Sequence, residues 1–245
     1  TNDVVIGVSG TNVTIIHDSG DSTVKSIQCT AGLTISGGSL TVTSGASQIS
    51  GPLTLALGVW LKANGSTASL TATGSTVADG ANLAAQNGGE LYLPGLSSYS
   101  GGDAFNYHPM LQASGAGSLL DLSAVTNLAG ASGYASGLSI SAVNGGQIRL
   151  GATMSIGGGV TWVGCSGTNS LVDLSSLASF SSGSLDASGG GAVASSNLTT
   201  LNGVSMTLRA NATLPYAGLA NCSGVSLTLD GVAPAFTNLT RFTYG

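Results

Sequence analysis

Short apolar–polar–apolar triplets punctuate the first third of the chain at a steady interval. Val13-Thr14-Ile15, Leu33-Thr34-Ile35 and Leu53-Thr54-Leu55 begin 20 residues apart. A second series, Leu40-Thr41-Val42 and Leu61-Lys62-Ala63, advances by 21, and Ile27 and Ile49 stand 22 apart. Each triplet has the period of two that a β-strand imposes, with flanking residues inward and the middle one outward. Three such strands in every period of about 20 residues, separated by Gly and Asn, predict one coil of a β-solenoid.

Downstream the pattern changes form. Strand-like pairs occur at Leu91/Leu93, Leu120/Leu122, Ile148/Leu150, Val172/Leu174, Met206/Leu208 and Leu227/Leu229. Another pair precedes each by eight to ten residues: Leu83/Ala85, Leu111/Ala113, Leu138/Ile140, Val163/Cys165, Leu198/Thr200 and Leu219/Asn221. Glycine-rich joints such as "QNGGE", "SGAGS", "VNGGQ" and "SGTNS" fill several of these gaps. A joint of near-constant length with variable length elsewhere predicts a coil with one tight corner and one variable loop. Surface loops are expected near 97–110 and 183–197, the second carrying "GSLDASGGGAVASS" as an insertion. Nothing resembling a capped helix persists for three turns. The expectation is one all-β domain over 1–245, a right-handed parallel β-helix of about ten coils of roughly 20–30 residues, ~45 Å long at the usual strand spacing. Its coils are regular to residue 82 and longer from 83.

Composition sharpens this picture. Only 6% of the 245 residues are charged, 39 are glycine and 42% are hydrophobic, and mean hydropathy is +0.38. Disorder needs low hydrophobicity as well as few core formers, so the chain should fold. In a solenoid each outward residue lies ~4.8 Å from its copy on the next coil. Like charges repel at that distance, and Ser, Thr and Asn take their place. A net charge of −5 with five scattered Lys and Arg leaves no basic patch for nucleic acid. No run of about 18 apolar residues exists to span a membrane; "LTLALGVWLKA" is broken by Thr54, Gly58 and Lys62. The start at Thr1, with neither Met nor a basic segment, reads as a mature chain or an excised fragment.

Cys29, Cys165 and Cys222 are odd in number and lack metal-type spacing, which makes them buried small hydrophobes; a Cys165–Cys222 bridge stays open. Six N-x-[ST] sequons, at Asn12, Asn64, Asn197, Asn211, Asn221 and Asn238, point weakly to an extracellular setting.

The run "LTISGGSLTVTSGASQISGPLTL", the "LDLS" turns and the opening "DVVIGVSGTNVTI" resemble the right-handed parallel β-helices of secreted bacterial surface proteins. Those include haemagglutinin-like and autotransporter-like adhesins and the repeat regions of giant cell-surface proteins. The resemblance implies architecture and an extracellular or cell-surface location rather than an activity. The wider fold also includes pectin-lyase-like polysaccharide enzymes, whose function lies in sites grafted on the rod.

Candidate chemistry is sparse. Aligned as one column, the outward residues of the downstream pairs are Tyr92, Asp121, Arg149, Asp173, Thr207 and Thr228. Asp121 and Asp173 would then lie two coils, or ~9.6 Å, apart with Arg149 between them. Two carboxylates at that separation suit an inverting glycosidase. A cation on the rung between works against the raised pKa of a general acid, and a structural acid–Arg–acid ladder is the simpler reading. Tyr99, Phe105, Tyr107 and His108 cluster beside Asp103; with Tyr92, the residues Asp103, Tyr107 and His108 are candidates for sugar binding. Asp18 and Asp21 in "HDSGD" are a thin calcium candidate, since two acids alone fall short of the usual ligand set. His17 and His108, 91 residues apart with no partner, give zinc no support. Thr14, Thr34 and Thr54 would form an outward column, an arrangement that binds ice when it is broad and regular; here it is a single column of three. No cofactor is implied.

The sequence therefore points to a non-enzymatic extracellular module, a stalk, surface-layer or filament segment. Its expected partners are a cell-surface glycan or neighbouring copies end to end. The alternative is a polysaccharide-binding or polysaccharide-degrading β-helix protein.

Overall fold

A computed structural model describes residues 2–7 and 13–244. Asn12, the first sequon, and residues 8–12 of the opening run lie outside the described residues. The described chain has no helix, and its strands form a parallel β-solenoid of about eleven turns, ~50 Å long at the usual spacing.

Each coil lays three short segments on three faces. The first face is a nine-stranded parallel sheet running from Asp3–Ile6 to Ala192–Ala194. The second begins as four strands, Thr14–His17 to Thr76–Val77, and resumes at Ser98–Ser100. The third runs from Asp21–Val24 upward.

Inward aliphatic side chains stack on one another along the rod. On the third face the column is Leu40, Leu61, Leu83, Leu111, Ile140, Val163, Leu185, Met206 and Leu227. On the first face Leu70, Leu91, Leu120, Ile148, Val172 and Val193 follow one another. The second face contributes Tyr99, Leu128, Ile156, Phe180, Leu201 and Cys222. All but Leu227 are buried, and each buried aliphatic side chain contributes about 1.5–3 kcal/mol.

The corner from third to first face explains the glycine joints. In "QNGGE" and "VNGGQ", Asn87 (φ 54°) and Gly88 (φ 84°), and Asn144 (φ 55°) and Gly145 (φ 88°), take the left-handed conformation that Asn and Gly tolerate best. The next residue must be glycine for a different reason. A Cβ on Gly89 or Gly146 would run into the carbonyl oxygen of Ala63 or Ala113 on the coil below. The core step across this corner is eight or nine residues throughout, from Leu83–Leu91 to Leu185–Val193.

The corner from second to third face varies instead. Its loop spans 101–109, then 130–137, then 158–160, and on the next coil the two faces fuse into one strand, Ser179–Ser188. The fused strands kink at Ser182 (φ 62°), Gly203 (φ 62°) and Gly224 (φ 59°).

Several register assignments differ from the sequence expectation. Ile15, not Val13, stacks beneath Leu33, because Gly32 pairs with Thr14. Ile49 stacks on Cys29 rather than on Ile27; Ser47 lies there instead, its hydroxyl accepting from the Ile27 amide at 3.1 Å. Leu111 meets Ile140, not Leu138. The stretch 183–197 is not an insertion: Ser179–Ser188 and Ala192–Ala194 are regular rungs, whose Ser, Gly and Ala content conceals the alternation. Long coils are confined to two, from Leu83 to Leu111 and from Leu111 to Ile140; later coils return to 21–23 residues.

Candidate functional site

On the outward side of the first face Tyr92, Asp121, Arg149 and Asp173 stand in register on consecutive coils. The rung after Asp173 is Ala194 rather than Thr207, since Thr207 and Thr228 belong to the third face above Asp186. The Asp-Leu-Ser sequence closes a turn at the end of each acidic rung. Asp121 Oδ1 accepts from the Ser123 amide at 3.0 Å and the Ser123 hydroxyl at 2.6 Å. Asp173 Oδ1 accepts from the Ser175 amide at 2.9 Å.

Arg149 Nη1 donates to Asp121 Oδ2 at 3.2 Å, and no ion pair joins it to Asp173 among the described residues. Burial pushes the Asp121 carboxyl up, but the bonds from Ser123 and Arg149 outweigh it and leave the group below its ordinary value. An acid held that way is an anion at neutral pH and a poor proton donor. Tyr92 donates to Glu90 Oε2 at 3.0 Å; burial first, and then Glu90, raise its pKa.

Ser118 and Ser170, which open the matching stretches "SLLDLS" and "SLVDLS" around the two acids, also have structural partners. Ser118 Oγ accepts from the Gly88 amide at 2.9 Å and donates to the Ser114 carbonyl at 2.7 Å. Ser170 repeats this with the Gly145 amide and the Ser166 carbonyl at 2.9 and 2.7 Å. Each stitches the tight corner to the coil below.

A fuller acid–Arg–acid ladder lies on the third face, where the sequence reading did not place one. Arg209 Nη1 pairs with Asp186 Oδ1 and donates to the Ala187 carbonyl at 3.0 Å, while its Nε stands 3.7 Å from Asp230 Oδ2. The coil period signals only the step of 21 residues from Arg209 to Asp230, which are in register; Asp186 lies under Thr207 and meets Arg209 diagonally. Treating "GSLDASGGG" as a loop hid the ladder.

The aromatic cluster is divided by the structure. Tyr99 is buried, its hydroxyl bonded to the Ala81 carbonyl at 2.7 Å. Tyr107 is half-buried, donating to the Gly80 carbonyl at 2.8 Å and accepting from Asn82 Nδ2 at 3.0 Å. It anchors the 101–109 loop rather than presenting a free ring. Asp103 and His108 are exposed. The exposed rings are Phe105 and Tyr134, 74% and 80% accessible, stacked at 5.8 Å with planes 9° apart. Tyr134 went unnoticed because a lone tyrosine in "GASGYASG" carries no periodic signal.

The remaining candidates stay apart. Asp18 Oδ1 accepts from Ser19, and Asp21 Oδ1 from Ser39 at 2.6 Å. The described residues contain no group of three or more His, Cys, Asp or Glu placed to hold a metal. His17 bonds the Ser22 hydroxyl at 2.9 Å and the Gly37 carbonyl at 3.0 Å. The threonine column reduces to Thr34 and Thr54, with Ile16 below and Val77 above, so the ice-type array is not formed. Cys29, Cys165 and Cys222 are free and buried; burial raises all three thiols.

The first-face column can therefore manage charge on stacked strands, and the 101–109 and 130–137 loops can present rings to a partner. No helix of the described chain is long and apolar enough to cross a membrane. Compared with models of known families, with curated proteins and with solved structures, the chain matches none.

Proposed function

We infer that the protein is a non-enzymatic rod module of an extracellular surface protein, a stalk or adhesive segment of a longer assembly. The observation that carries this reading is the pairing of Asp121 with Arg149 and Ser123. Of the two acids most suited to chemistry by their spacing, Asp121 is engaged with Arg149 on the neighbouring coil and Asp173 caps its own turn. The uninterrupted inward columns supply stiffness, and the skin of Ser, Thr and Asn suits a surface in permanent contact with water. The resemblance to bacterial surface β-helices supports the extracellular setting, and neighbouring copies meeting end to end would extend the rod.

The test has two readouts. Antibody against the chain is expected to label intact source cells as strongly as lysed ones. Incubation with neutral and acidic polysaccharides is expected to release no new reducing ends and no unsaturated products. Labelling only after lysis overturns the location, and cleavage that Asp121→Asn abolishes overturns the non-enzymatic reading.

A further inference from the structure

The two long coils carry a knob that stacking alone does not require. The 101–109 and 130–137 loops lie on one another through the Asn106 amide to the Tyr134 carbonyl (2.9 Å), the Ser132 amide to the Gly102 carbonyl (2.8 Å) and the Ser136 hydroxyl to the Ala104 carbonyl (2.6 Å). Tyr107 pins the lower loop through Gly80 and Asn82. Asn106 (φ 49°) and Ala135 (φ 53°) both hold left-handed backbone, which for alanine costs about 1–2 kcal/mol. Local strain of this kind concentrates where a side chain is held for a partner. Here it flanks the Phe105–Tyr134 stack. Against these loops Trp162 of the strand Thr161–Ser166, 39% exposed, leans over Gly137, where a Cβ would collide with the indole, and comes within 5.3 Å of the His108 ring.

The knob rises from the ends of strands that floor a shallow, open groove of about 410 Å³. Its floor is small and polar, with Ser98, Ser100, Asn127 and Ser155 outward and Asp79 at its lower end. Ala129 and Gly157 give it depth. Asp79 is the charged residue that lines it and no Lys or Arg does, so a polyanion is disfavoured. Exposed rings on the loops that leave this floor, and hydroxyl and amide groups on its strands with no cation among them, match the alternating C–H faces and hydroxyls of a sugar chain. The coil step of ~4.8 Å is close to the length of one sugar unit in an extended glycan, so a chain lying along the rod meets equivalent positions on successive coils.

We propose that this knob and groove bind an uncharged glycan, with Phe105, Tyr134 and Trp162 as stacking platforms. The site rests on the rod reading only in being placed where glycans are met, and it is tested on the isolated protein. The probes are soluble neutral oligosaccharides (β-linked glucose, xylose and mannose series) and polygalacturonate, measured by calorimetry and affinity electrophoresis. At least one neutral series is expected to bind, and polygalacturonate is not. Phe105→Ala and Tyr134→Ala are each expected to weaken binding roughly three- to tenfold with an unchanged melting temperature, because both rings are exposed. Tyr134→Phe should retain binding. Failure of every neutral series, or binding indifferent to both alanine variants, overturns the site and leaves the rod reading untouched. Binding of polygalacturonate alone, or of a protein at the knob instead, also overturns it.

Discussion

Arg149 reaches across one coil step to Asp121 at 3.2 Å, while Asp173 on its other side turns to the Ser175 amide. The column read as a symmetric ladder is one ion pair plus one capped turn. Asp121 has a folded-state pKa below its unfolded value. Its contribution is therefore fully present above the ordinary carboxylate pKa of ~3.9 and is lost as pH falls through the lower folded value. Arg149→Met should cost no more than about 1 kcal/mol at pH 7. In urea titrations that difference should shrink towards zero once Asp121 protonates.

The repeated serines give a matched pair. Ser118 and Ser170 are 1% and 2% exposed and make the same two bonds. Either alanine variant takes the partner from a part-buried amide, Gly88 or Gly145, while the Ser114 and Ser166 carbonyls keep the Asn87 and Asn144 amides, for a cost of about 1 kcal/mol. The two losses should be equal within error and additive, since the sites lie two coils apart.

Three glycines separate three causes. Gly146→Ala meets the Ala113 carbonyl and should destabilise most. Gly203→Ala has open space but φ of 62°, for a cost of about 1–2 kcal/mol. Gly164→Ala has open space and ordinary backbone, and should be neutral or mildly stabilising. Thermal melts of the three variants check that order.

The cysteines predict a redox-indifferent rod. Buried thiols with raised pKa values should ignore a thiol reagent in the native state, and all three should react in denaturant. Reductant should leave the melting temperature unchanged.

Much of this architecture could be read from the chain, for a physical reason. Leu91, Leu120, Ile148 and Val172 are spaced by a corner of nearly fixed length, so pattern alone placed Tyr92, Asp121, Arg149 and Asp173 on one column. Register failed where the pattern is degenerate. A slip of two residues keeps the same face inward, as with Leu138 for Ile140, and a core position filled by Ser47 breaks the count beside Ile27. The rung at Val193 was lost among small residues, which carried Thr207 into the wrong column and hid Arg209. The exposed ring at Tyr134 was not legible at all, because only the stacking of two loops brings it beside Phe105.

The account rests on Asp121 being a structural anion rather than a proton donor, and NMR titration of its carboxyl carbon reads this directly. The account predicts a midpoint below that of an ordinary aspartate, moving upward in Arg149→Met. A midpoint raised above the ordinary value, in the range a general acid uses, would contradict it.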